Sequence, residues 1–478
     1  MNILLAFALT LHSIAYEFPI DYQASLVYSV PFGGVSVPIY FHHMGSARKQ
    51  LIQYYDGLAK ELLSVSENLS YKDVYNVSDR ICLSERSEEP VALINIFPDL
   101  SQFNYSGLAV TRGLQCDHWT KQVERPGEEQ HFYFDPKLNV PVRWTMHSRD
   151  DMFDSHMDDY IIDYISLIPL DSSATENQIR MPPICEDPKK RKSLEQTGKS
   201  SSHLLRSPRN LPSMGYIPRK ERESIQVFGD SLSTRDILET SIPLPPAFDW
   251  REKGGSPVPK DQAMCGSCYA FAVVGAIESQ YMIRNGGVHL PLSEQFLLDC
   301  GWSAGSSSCS GGNQEELGPL LLEKFNGFVP FEEDYGGYMS TYSYCKNTTG
   351  MGGIHFHGWV NLPARSSTDL IKKSLVQNGI LSVSINAIDP IVFHRKGNGV
   401  IRAEECRNTK SKHLNHAVNL VGWKDDFWIL RNSWSTNWGD DGYFMVEIGE
   451  RDCGVSVDVS FPIIKKAAGK VNDHVVIA

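Results

Sequence analysis

A turn of small residues that runs directly into an apolar helical segment is the feature that most constrains the fold. Gly266 and Ser267 bring the backbone close to Cys268. The residues that follow carry apolar side chains at helical spacing until Gly286 and Gly287 end the run. We therefore predict a helix that begins at Cys268. The unpaired N–H groups at a helix N-terminus favour the thiolate, which is the nucleophilic form of cysteine.

A thiolate nucleophile needs an imidazole, a group that orients the imidazole and an oxyanion donor. His416 lies in a β-rich run, Asn432 begins an Asn-Ser-Trp motif, and Gln262 stands six residues before Cys268. Taken singly, these residues are ordinary, because a cysteine in an exported chain is usually half of a disulfide and a histidine on an apolar strand is usually a core residue. Their joint occurrence in the order Gln, Cys, His, Asn indicates an enzyme.

These motifs resemble the papain-like cysteine proteases over nearly half of the chain. The resemblance implies an α+β fold in which a helical lobe and a β lobe face each other across a cleft. It further implies that His416 takes the proton of Cys268, that Asn432 orients the imidazole and that Trp434 shields their contact. Gln262 and the backbone N–H of Cys268 are expected to stabilise the oxyanion.

The resemblance also implies substrate-binding residues. Gly311 and Gly312 are expected to let a peptide pair with the chain as an added strand. Asp458 matches the position that forms the floor of the main specificity pocket, where it would accept a basic P2 residue. Its place on an alternating strand instead favours a solvent-facing side chain. Tyr269 stands where most of the family carries Trp, and in this the chain resembles dipeptidyl peptidase I.

The function predicted from these residues is a cysteine-type endopeptidase that hydrolyses protein or peptide substrates through a thioester acyl-enzyme. No cofactor and no metal are expected, because His355 and His357 share a strand face but have no third ligand nearby. Two alternatives stay open. One is an exopeptidase whose N-terminal domain blocks one end of the cleft, and the other is a non-catalytic binding or adhesion protein that acts through its N-terminal domain.

Residues 16–184 are predicted to form an antiparallel, β-rich N-terminal domain. Alternating runs that predict strands occur at residues 35–41, 49–55, 91–97, 130–134, 140–146 and 160–167. Motifs at residues 54–57, 97–100, 116–119 and 334–338 are similar to those of the insect haemocyte twenty-six/twenty-nine-kilodalton cysteine proteases and of slime-mould counting-factor-associated protein D. Those proteins also join a β-rich domain to a papain-like domain, which here is expected at residues 243–478.

Residues 185–242 are predicted to be a connector without a packed core. The formal net charge of the chain is −12, but residues 189–222 carry about +8, which leaves about −20 on the remainder. An acidic remainder argues against nucleic acid as a partner, and an exposed basic segment suits proteolytic cleavage. The resemblance implies a helical inhibitory propeptide, whose pattern is absent. Residues 231–240 are equally consistent with a remnant of that helix and with a plain tether.

Export of the chain is predicted from its start. Residues 1–15 read as a cleaved signal peptide, and no later stretch is apolar and long enough to predict a membrane span. Glycosylation sequons at Asn68, Asn76, Asn104 and Asn347 agree with a secretory route that ends in the lysosome or outside the cell. The N-terminal domain is a potential partner of the catalytic domain after processing, which the sequence leaves open.

Ten cysteines in an exported chain indicate disulfides. The resemblance implies the pairs Cys265–Cys309 and Cys300–Cys345, and Cys406–Cys453 is the remaining pair of the catalytic domain. Cys268 is then unpaired. In the N-terminal domain Cys82–Cys116 is the simplest bridge, which leaves Cys185 either free or joined to either half.

Overall fold

The structure is a computed structural model, and it describes residues 16–65, 70–76, 81–87, 92–123, 127–153, 155–171, 179, 181–187, 191–193, 215–229, 242–302 and 306–464. The predicted signal peptide and residues 231–240 lie outside this described part. The helices are α1 (Pro183–Glu186), α2 (Cys268–Arg284), α3 (Glu294–Cys300), α4 (Gln314–Phe325), α5 (Glu332–Tyr335), α6 (Thr368–Asn378) and α7 (Asp389–Val392). In the described residues, no helix has both the length and the apolar character that crossing a membrane requires.

The strands of the N-terminal part are β1 (Asp21–Val30), β2 (Val35–Met44), β3 (Lys49–Tyr54), β4 (Ala59–Val65), β5 (Ser70–Asn76), β6 (Ile81–Ser87), β7 (Asn104–Thr111), β8 (Leu114–Gln122), β9 (Glu129–Asp135), β10 (Val140–Arg149), β11 (Met157–Pro169) and β12 (Arg191–Ser193). Within the described residues they form one sheet in the order β12-β6-β5-β4-β3-β2-β1-β11-β10-β9-β8-β7. Every pair is antiparallel except β12 with β6. The predicted antiparallel N-terminal domain is thus present.

One face of this sheet carries the core because side chains alternate along each strand. Every second residue of β1 is buried, from Tyr22 to Val30. Aromatic rings fill the interior, as in the stacked pair Phe18 and Phe97, whose centroids are 4.2 Å apart. The strands predicted at 35–41, 49–55, 130–134, 140–146 and 160–167 fall largely within β2, β3, β9, β10 and β11.

The strand predicted at residues 91–97 is wrong in its described part, because residues 92–97 pair with no strand. A buried side chain takes the place of a strand partner. Gln50 donates from Nε2 to the Ile94 carbonyl at 2.7 Å, and its Oε1 accepts from the Ile94 N–H at 3.0 Å. These two bonds satisfy the backbone of Ile94, so an apolar, alternating run can pack on the sheet as a loop.

The predicted bridge Cys82–Cys116 is also wrong. Cys82 pairs with Cys185, and Cys116 is a buried free thiol on β8. β6, which carries Cys82, and β8 lie at opposite sides of the sheet order, whereas α1 carries Cys185 against β6. Cys82 and Cys116 are close in sequence but far apart in the fold, because β6 and β7 follow each other in the chain and lie near opposite ends of the sheet.

The C-terminal part is built from α2 to α7 and a second sheet. Its strands are β13 (Gln226–Phe228), β14 (Phe248–Asp249), β15 (Phe328–Pro330), β16 (Gly353–His355), β17 (Gly358–Asn361), β18 (Leu381–Ile385), β19 (Val400–Ile401), β20 (His416–Lys424), β21 (Phe427–Arg431), β22 (Tyr443–Glu447) and β23 (Val459–Ile463). Apart from the β15–β16 pair, the described strands form a sheet in the order β13-β17-β23-β18-β20-β21-β22-β19, with β14 against β20. The expected helical lobe faces the expected β lobe.

The two lobes meet where α2 crosses β20. A Cβ at Gly275 would lie 2.4 Å from Nη1 of Arg431, so the small residue permits the close approach. Asn419 of β20 donates to the Ala272 carbonyl at 2.8 Å and accepts from Arg431 at 2.8 Å. The disulfides Cys265–Cys309, Cys300–Cys345 and Cys406–Cys453 are present as the resemblance implies.

Candidate active site

Cys268 and His416 lie on opposite lobes and meet at the α2–β20 contact. Cys268 is the first residue of α2, as predicted from the apolar run. His416 is the first residue of β20, and the next N–H along the strand, that of Ala417, donates to the Cys268 Sγ at 3.3 Å. Both side chains are fully buried. The thiol therefore lies beside the strand end that carries the imidazole.

The imidazole is held by an amide and an aromatic ring. His416 Nε2 lies 2.8 Å from the Asn432 Oδ1, so Nε2 carries the hydrogen and Nδ1 is the nitrogen that can exchange a proton. Trp434 stacks on the His416 ring with centroids 4.6 Å apart. Asn432 itself is fixed, because its N–H donates to Gly442 at 2.9 Å. The structure thus brings His416, Asn432 and Trp434 together, and their catalytic roles stay a prediction.

Gln262 bridges the turn before Cys268 and the segment that follows Asn432. Its Nε2 donates to the Cys265 carbonyl at 3.0 Å, and its Oε1 accepts from the Ser433 hydroxyl at 2.7 Å. The Gln262 N–H also donates to the Ser433 carbonyl at 2.9 Å. The side-chain amide is buried and positioned by both lobes.

The thiol is neutral in this covered state. Burial raises the pKa of Cys268 to about 12, although the N–H groups of Ala417 and Tyr269 act to lower it. The helix terminus and proton transfer to His416 both predict a thiolate at the start of α2. Desolvation of the charged form outweighs that contribution here, since no side of the thiol is open to solvent.

Residues 215–217, the cleft segment, cover the site from the helical lobe. The Gly312 N–H donates to the Gly215 carbonyl at 2.8 Å, and the Ile217 N–H donates to the Gly312 carbonyl at 2.8 Å. Tyr216 donates to the Asn415 carbonyl at 3.1 Å on the opposite lobe. The prediction of an unpacked connector is wrong for residues 215–217, because all three are buried.

Glycines make this close approach possible. Gly215 has φ +92°, and a Cβ there would lie 2.1 Å from the Gly266 carbonyl oxygen. A Cβ at Gly312 would lie 2.6 Å from the Tyr269 ring, whose hydroxyl is bonded to Ser306 at 2.6 Å. Gly311 adjoins Gly312 with φ +107°. Gly215 and Tyr216 are the residues from which the cleft segment could have been predicted. They place a turn residue and an aromatic residue side by side within a basic stretch.

Asp458 points into the protein, so the solvent-facing interpretation is wrong. It is 2% exposed and lies just before β23. Its carboxylate accepts from the Tyr216 hydroxyl at 2.6 Å, from Ser384 at 2.8 Å and from Gln314 at 3.1 Å. Arg222 of the connector lies 3.4 Å away. Tyr216 therefore fills a pocket with an acidic floor, and the burial of its ring raises its pKa well above 10.

The N-terminal domain covers the other end of the site. His156 stacks on Trp434 with centroids 5.2 Å apart and rings 7° from parallel. The Ser155 hydroxyl donates to the Ala263 carbonyl at 2.9 Å. Ser435 donates to Asp158 at 3.0 Å. Sequence reasoning missed these contacts, because nothing in the short runs around His156 shows which surface of another domain they meet.

Comparisons with known proteins find relatives of the part of the chain that carries this site. A sequence model of the family described as papain family cysteine protease matches residues 244–463. The chain is 31% identical to pro-cathepsin H of Mus musculus over 49% of its own length and 69% of that relative's. It is 34% identical to pro-cathepsin H of Medicago truncatula over 47% of this chain and 63% of the relative. The chain thus spans about two thirds of the length of the curated relatives that it matches.

Among solved structures, the chain is similar to the digestive procathepsin L2 proteinase from Tenebrio molitor larval midgut. The two share 31% sequence identity with a TM-score of 0.43, over 49% of this chain and 73% of that one.

Proposed function

Because the chain belongs to the papain family of cysteine proteases, we propose that it is a cysteine-type endopeptidase made as a zymogen. The observation that carries this proposal is the contact of the Ala417 N–H with the Cys268 sulfur. That contact sets the thiol beside His416, whose other ring nitrogen is bound to Asn432. These are the three side chains that thiol-based peptide hydrolysis needs.

In the proposed mechanism His416 Nδ1 accepts the proton of Cys268 once solvent or substrate replaces the cleft segment. The thiolate attacks the peptide carbonyl, and Gln262 and the Cys268 N–H donate to the oxyanion. His416 returns the proton to the departing amine, which leaves a thioester on Cys268. Water hydrolyses the thioester with His416 as general base. Asn432 keeps one imidazole tautomer throughout.

We propose that residues 185–242 are a linker and propeptide between an N-terminal domain and a catalytic domain at residues 243–478. The cleft segment supports this role, because it pairs with Gly312 where a substrate strand would pair and fills the Asp458 pocket. No long inhibitory helix is required for latency of this kind. Cleavage of the connector would release the segment and open the pocket, whose acidic floor favours a basic P2 residue.

Active-site labelling tests this function. The full chain, prepared as secreted, is treated at acidic pH with a thiol-directed epoxide before and after limited proteolysis of the connector, and the adduct is located by mass spectrometry. We expect an adduct on Cys268 only after cleavage, and none in Cys268→Ala. Cys116→Ala is the matched control, since it removes the other free thiol and should leave labelling unchanged. Absence of a Cys268 adduct in every sample would contradict the proposal and favour a binding protein.

An exopeptidase is a second candidate because the N-terminal domain covers one end of the cleft. The part of a substrate that becomes the acyl group would pair with Gly312. The part that leaves as the amine must lie near His416. Trp434 stands beyond His416, and His156 of the N-terminal domain covers Trp434. If the domain stays bound, only short leaving groups fit. Products from a peptide series of increasing length, with a fixed cleavage sequence, separate the candidates: an endopeptidase cuts all lengths internally.

We further propose that the chain is of the insect haemocyte protease and counting-factor-associated protein D type, and that it acts in the lysosome or outside the cell. The support is the β-rich N-terminal sheet joined to a papain-like part, together with relatives named as pro-cathepsins. Immunolocalisation of the tagged full chain, with glycosidase treatment of the secreted material, tests both the route and the predicted sequons.

A further inference from the structure

His156, Asp158 and Asp261 form a buried cluster at the boundary between the two domains. In the described residues it is the group whose nitrogen and carboxylate oxygens lie within 4.8 Å of one another. His156 and Asp158 come from the N-terminal domain, and Asp261 immediately precedes Gln262. Each of the three is at most 4% exposed. The cluster takes no part in the proposed reaction.

The hydrogen bonds around the imidazole fix which nitrogen faces the carboxylates. The Ser155 hydroxyl has one hydrogen and donates it to the Ala263 carbonyl at 2.9 Å. His156 Nδ1 lies 3.1 Å from the same hydroxyl oxygen, which can therefore only accept from it. Nδ1 carries a hydrogen, and a neutral ring then aims the lone pair of Nε2 at two carboxylates. A metal ion between them, or a second proton on Nε2, makes this arrangement favourable.

The separation of His156 from Asp261 fits a shared metal ion, and that from Asp158 is slightly longer than the ideal value. His156 Nε2 lies 3.4 Å from the Asp261 Oδ1 and 3.8 Å from the Asp158 Oδ2. Two ligands that each lie about 2.0–2.2 Å from a tetrahedral zinc ion are about 3.3–3.6 Å apart. His156 Nε2 and Asp261 Oδ2 are both buried without a hydrogen-bond partner. The Asp261 oxygen nearer to His156 is Oδ1, which also accepts from the Ala263 N–H at 2.7 Å, so the unpartnered buried atom that faces the cluster is His156 Nε2.

The sum of the charges in the cluster also favours a divalent metal ion. Two ionised carboxylates and a protonated imidazole leave one uncompensated negative charge in a buried site, which without a metal only a further proton on a carboxylate would remove. Two carboxylates, a neutral imidazole and a divalent cation sum to zero. Ser155 also supplies the outer hydrogen bond that metal-binding histidines commonly make through their second nitrogen.

We propose that His156, Asp158 and Asp261 bind a divalent transition-metal ion of the zinc type, which fastens the N-terminal domain to the catalytic domain. One imidazole with two carboxylates suits zinc better than calcium or magnesium, which prefer oxygen-only sites. The ion would lie behind the His156 ring that stacks on Trp434. The ion would hold the two domains together beside the cleft and would take no part in peptide hydrolysis.

The test uses the full chain with Cys268→Ser, so that the catalytic thiol cannot bind metal. The protein is stripped with a chelator and titrated with Zn²⁺ against a chromophoric chelator, and separately with Co²⁺ while the visible spectrum is recorded. We expect one ion per chain and a Co²⁺ spectrum of nitrogen and oxygen ligands without a thiolate charge-transfer band. His156→Ala and Asp261→Asn should each weaken Zn²⁺ binding at least about 100-fold, and Ser155→Ala about 10-fold.

His147→Ala is the matched control. His147 pairs with Asp159 on β10 and β11, but the pair is exposed, so its loss should leave Zn²⁺ affinity unchanged. The proposal is overturned if the Cys268→Ser chain binds no Zn²⁺, if His156→Ala binds as the parent does, or if Co²⁺ shows thiolate ligation. Should His156→Ala not fold, the Co²⁺ spectrum of the parent still decides. None of these outcomes bears on the labelling of Cys268.

Discussion

Gln262 is the residue whose removal most directly separates catalysis from binding. In processed enzyme we expect Gln262→Ala to lower kcat about 10²- to 10³-fold with little change in KM, because an oxyanion donor acts in the transition state. Steady-state kinetics normalised by epoxide titration of Cys268 measures both constants. Gln102→Ala, on an exposed turn of the N-terminal domain, is the control. A raised KM with unchanged kcat would instead make Gln262 a binding residue.

Asp458 should determine the preference at P2. Asp458→Asn keeps the shape of the pocket floor but removes its charge, so kcat/KM for a P2-arginine peptide should fall about 10- to 100-fold, the loss of one charge-assisted hydrogen bond. A P2-phenylalanine peptide measured in parallel is the internal control and should change little. Equal effects on both peptides would mean that the substitution disturbs the pocket rather than its charge.

Asp299 should make the precursor more stable in acid. Burial raises the pKa of Asp299 from 3.8 to about 7, although Gln295, Ser343 and Tyr335 donate to it. The folded state thus holds a proton that the unfolded chain releases above about pH 4, and stability falls as pH rises from about 4 to 7. The loss is about 1.4 kcal/mol for each unit of difference between the two pKa values.

Asp299→Asn tests this dependence, because an amide does not titrate. In a Cys268→Ala background, which cannot digest itself, the drop in thermal midpoint between pH 4.5 and 7.5 should be smaller in Asp299→Asn than in the parent. Asp334→Asn, a carboxylate outside the buried network, should keep the parental drop. An unchanged drop in Asp299→Asn would show that other groups cause it.

Among the elements, the cleft segment is proposed to keep the enzyme latent, and its backbone leaves no room for a side chain at Gly215. Gly215→Ala adds a methyl group against the Gly266 carbonyl at a positive φ, a strain of about 2 kcal/mol that should raise the open population roughly 30-fold. We expect the uncleaved variant to be labelled at Cys268 correspondingly faster. Gly350→Ala has a similar φ with nothing within 4 Å, and should leave the labelling rate unchanged. Equal rates in both variants would exclude the segment as the cover.

The sequence predicted those elements whose determinants are local. The helix at Cys268 follows from its own apolar spacing, and β2 and β3 follow from alternation and turn residues. Residues 92–97 alternate equally well, yet the Gln50 side chain satisfies their backbone, and no local pattern reveals a partner about forty residues away. Tyr216 was missed for the same reason. Its environment is made by Asp458 and Asn415, both distant in the chain.

At the scale of the whole molecule, hydrogen bonds to main-chain groups help to join the two domains. The Tyr342 hydroxyl accepts from the Lys60 N–H at 3.2 Å and donates to the Lys60 carbonyl at 3.0 Å in a partly buried contact. We expect the two parts to co-elute in gel filtration after cleavage of the connector, and Tyr342→Phe to weaken their association about 10-fold. Tyr344→Phe, at an exposed ring, is the control. Separation of the parental parts at micromolar concentration would contradict this expectation.

The placement of the disulfides has a consequence for how such a molecule would behave once cut. Each of the four bridges joins cysteines on the same side of residues 194–214, so a break there leaves no covalent link between the two parts. Before the break the domains meet at a high effective concentration that dilution does not change. Afterwards their pairing obeys mass action, and the fraction of molecules whose Trp434 is uncovered rises as the protein spreads into a larger volume, whereas residues 215–217 stay on the same chain as Cys268. After a single cut, the fraction of molecules that the N-terminal domain covers would therefore depend on the local protein concentration.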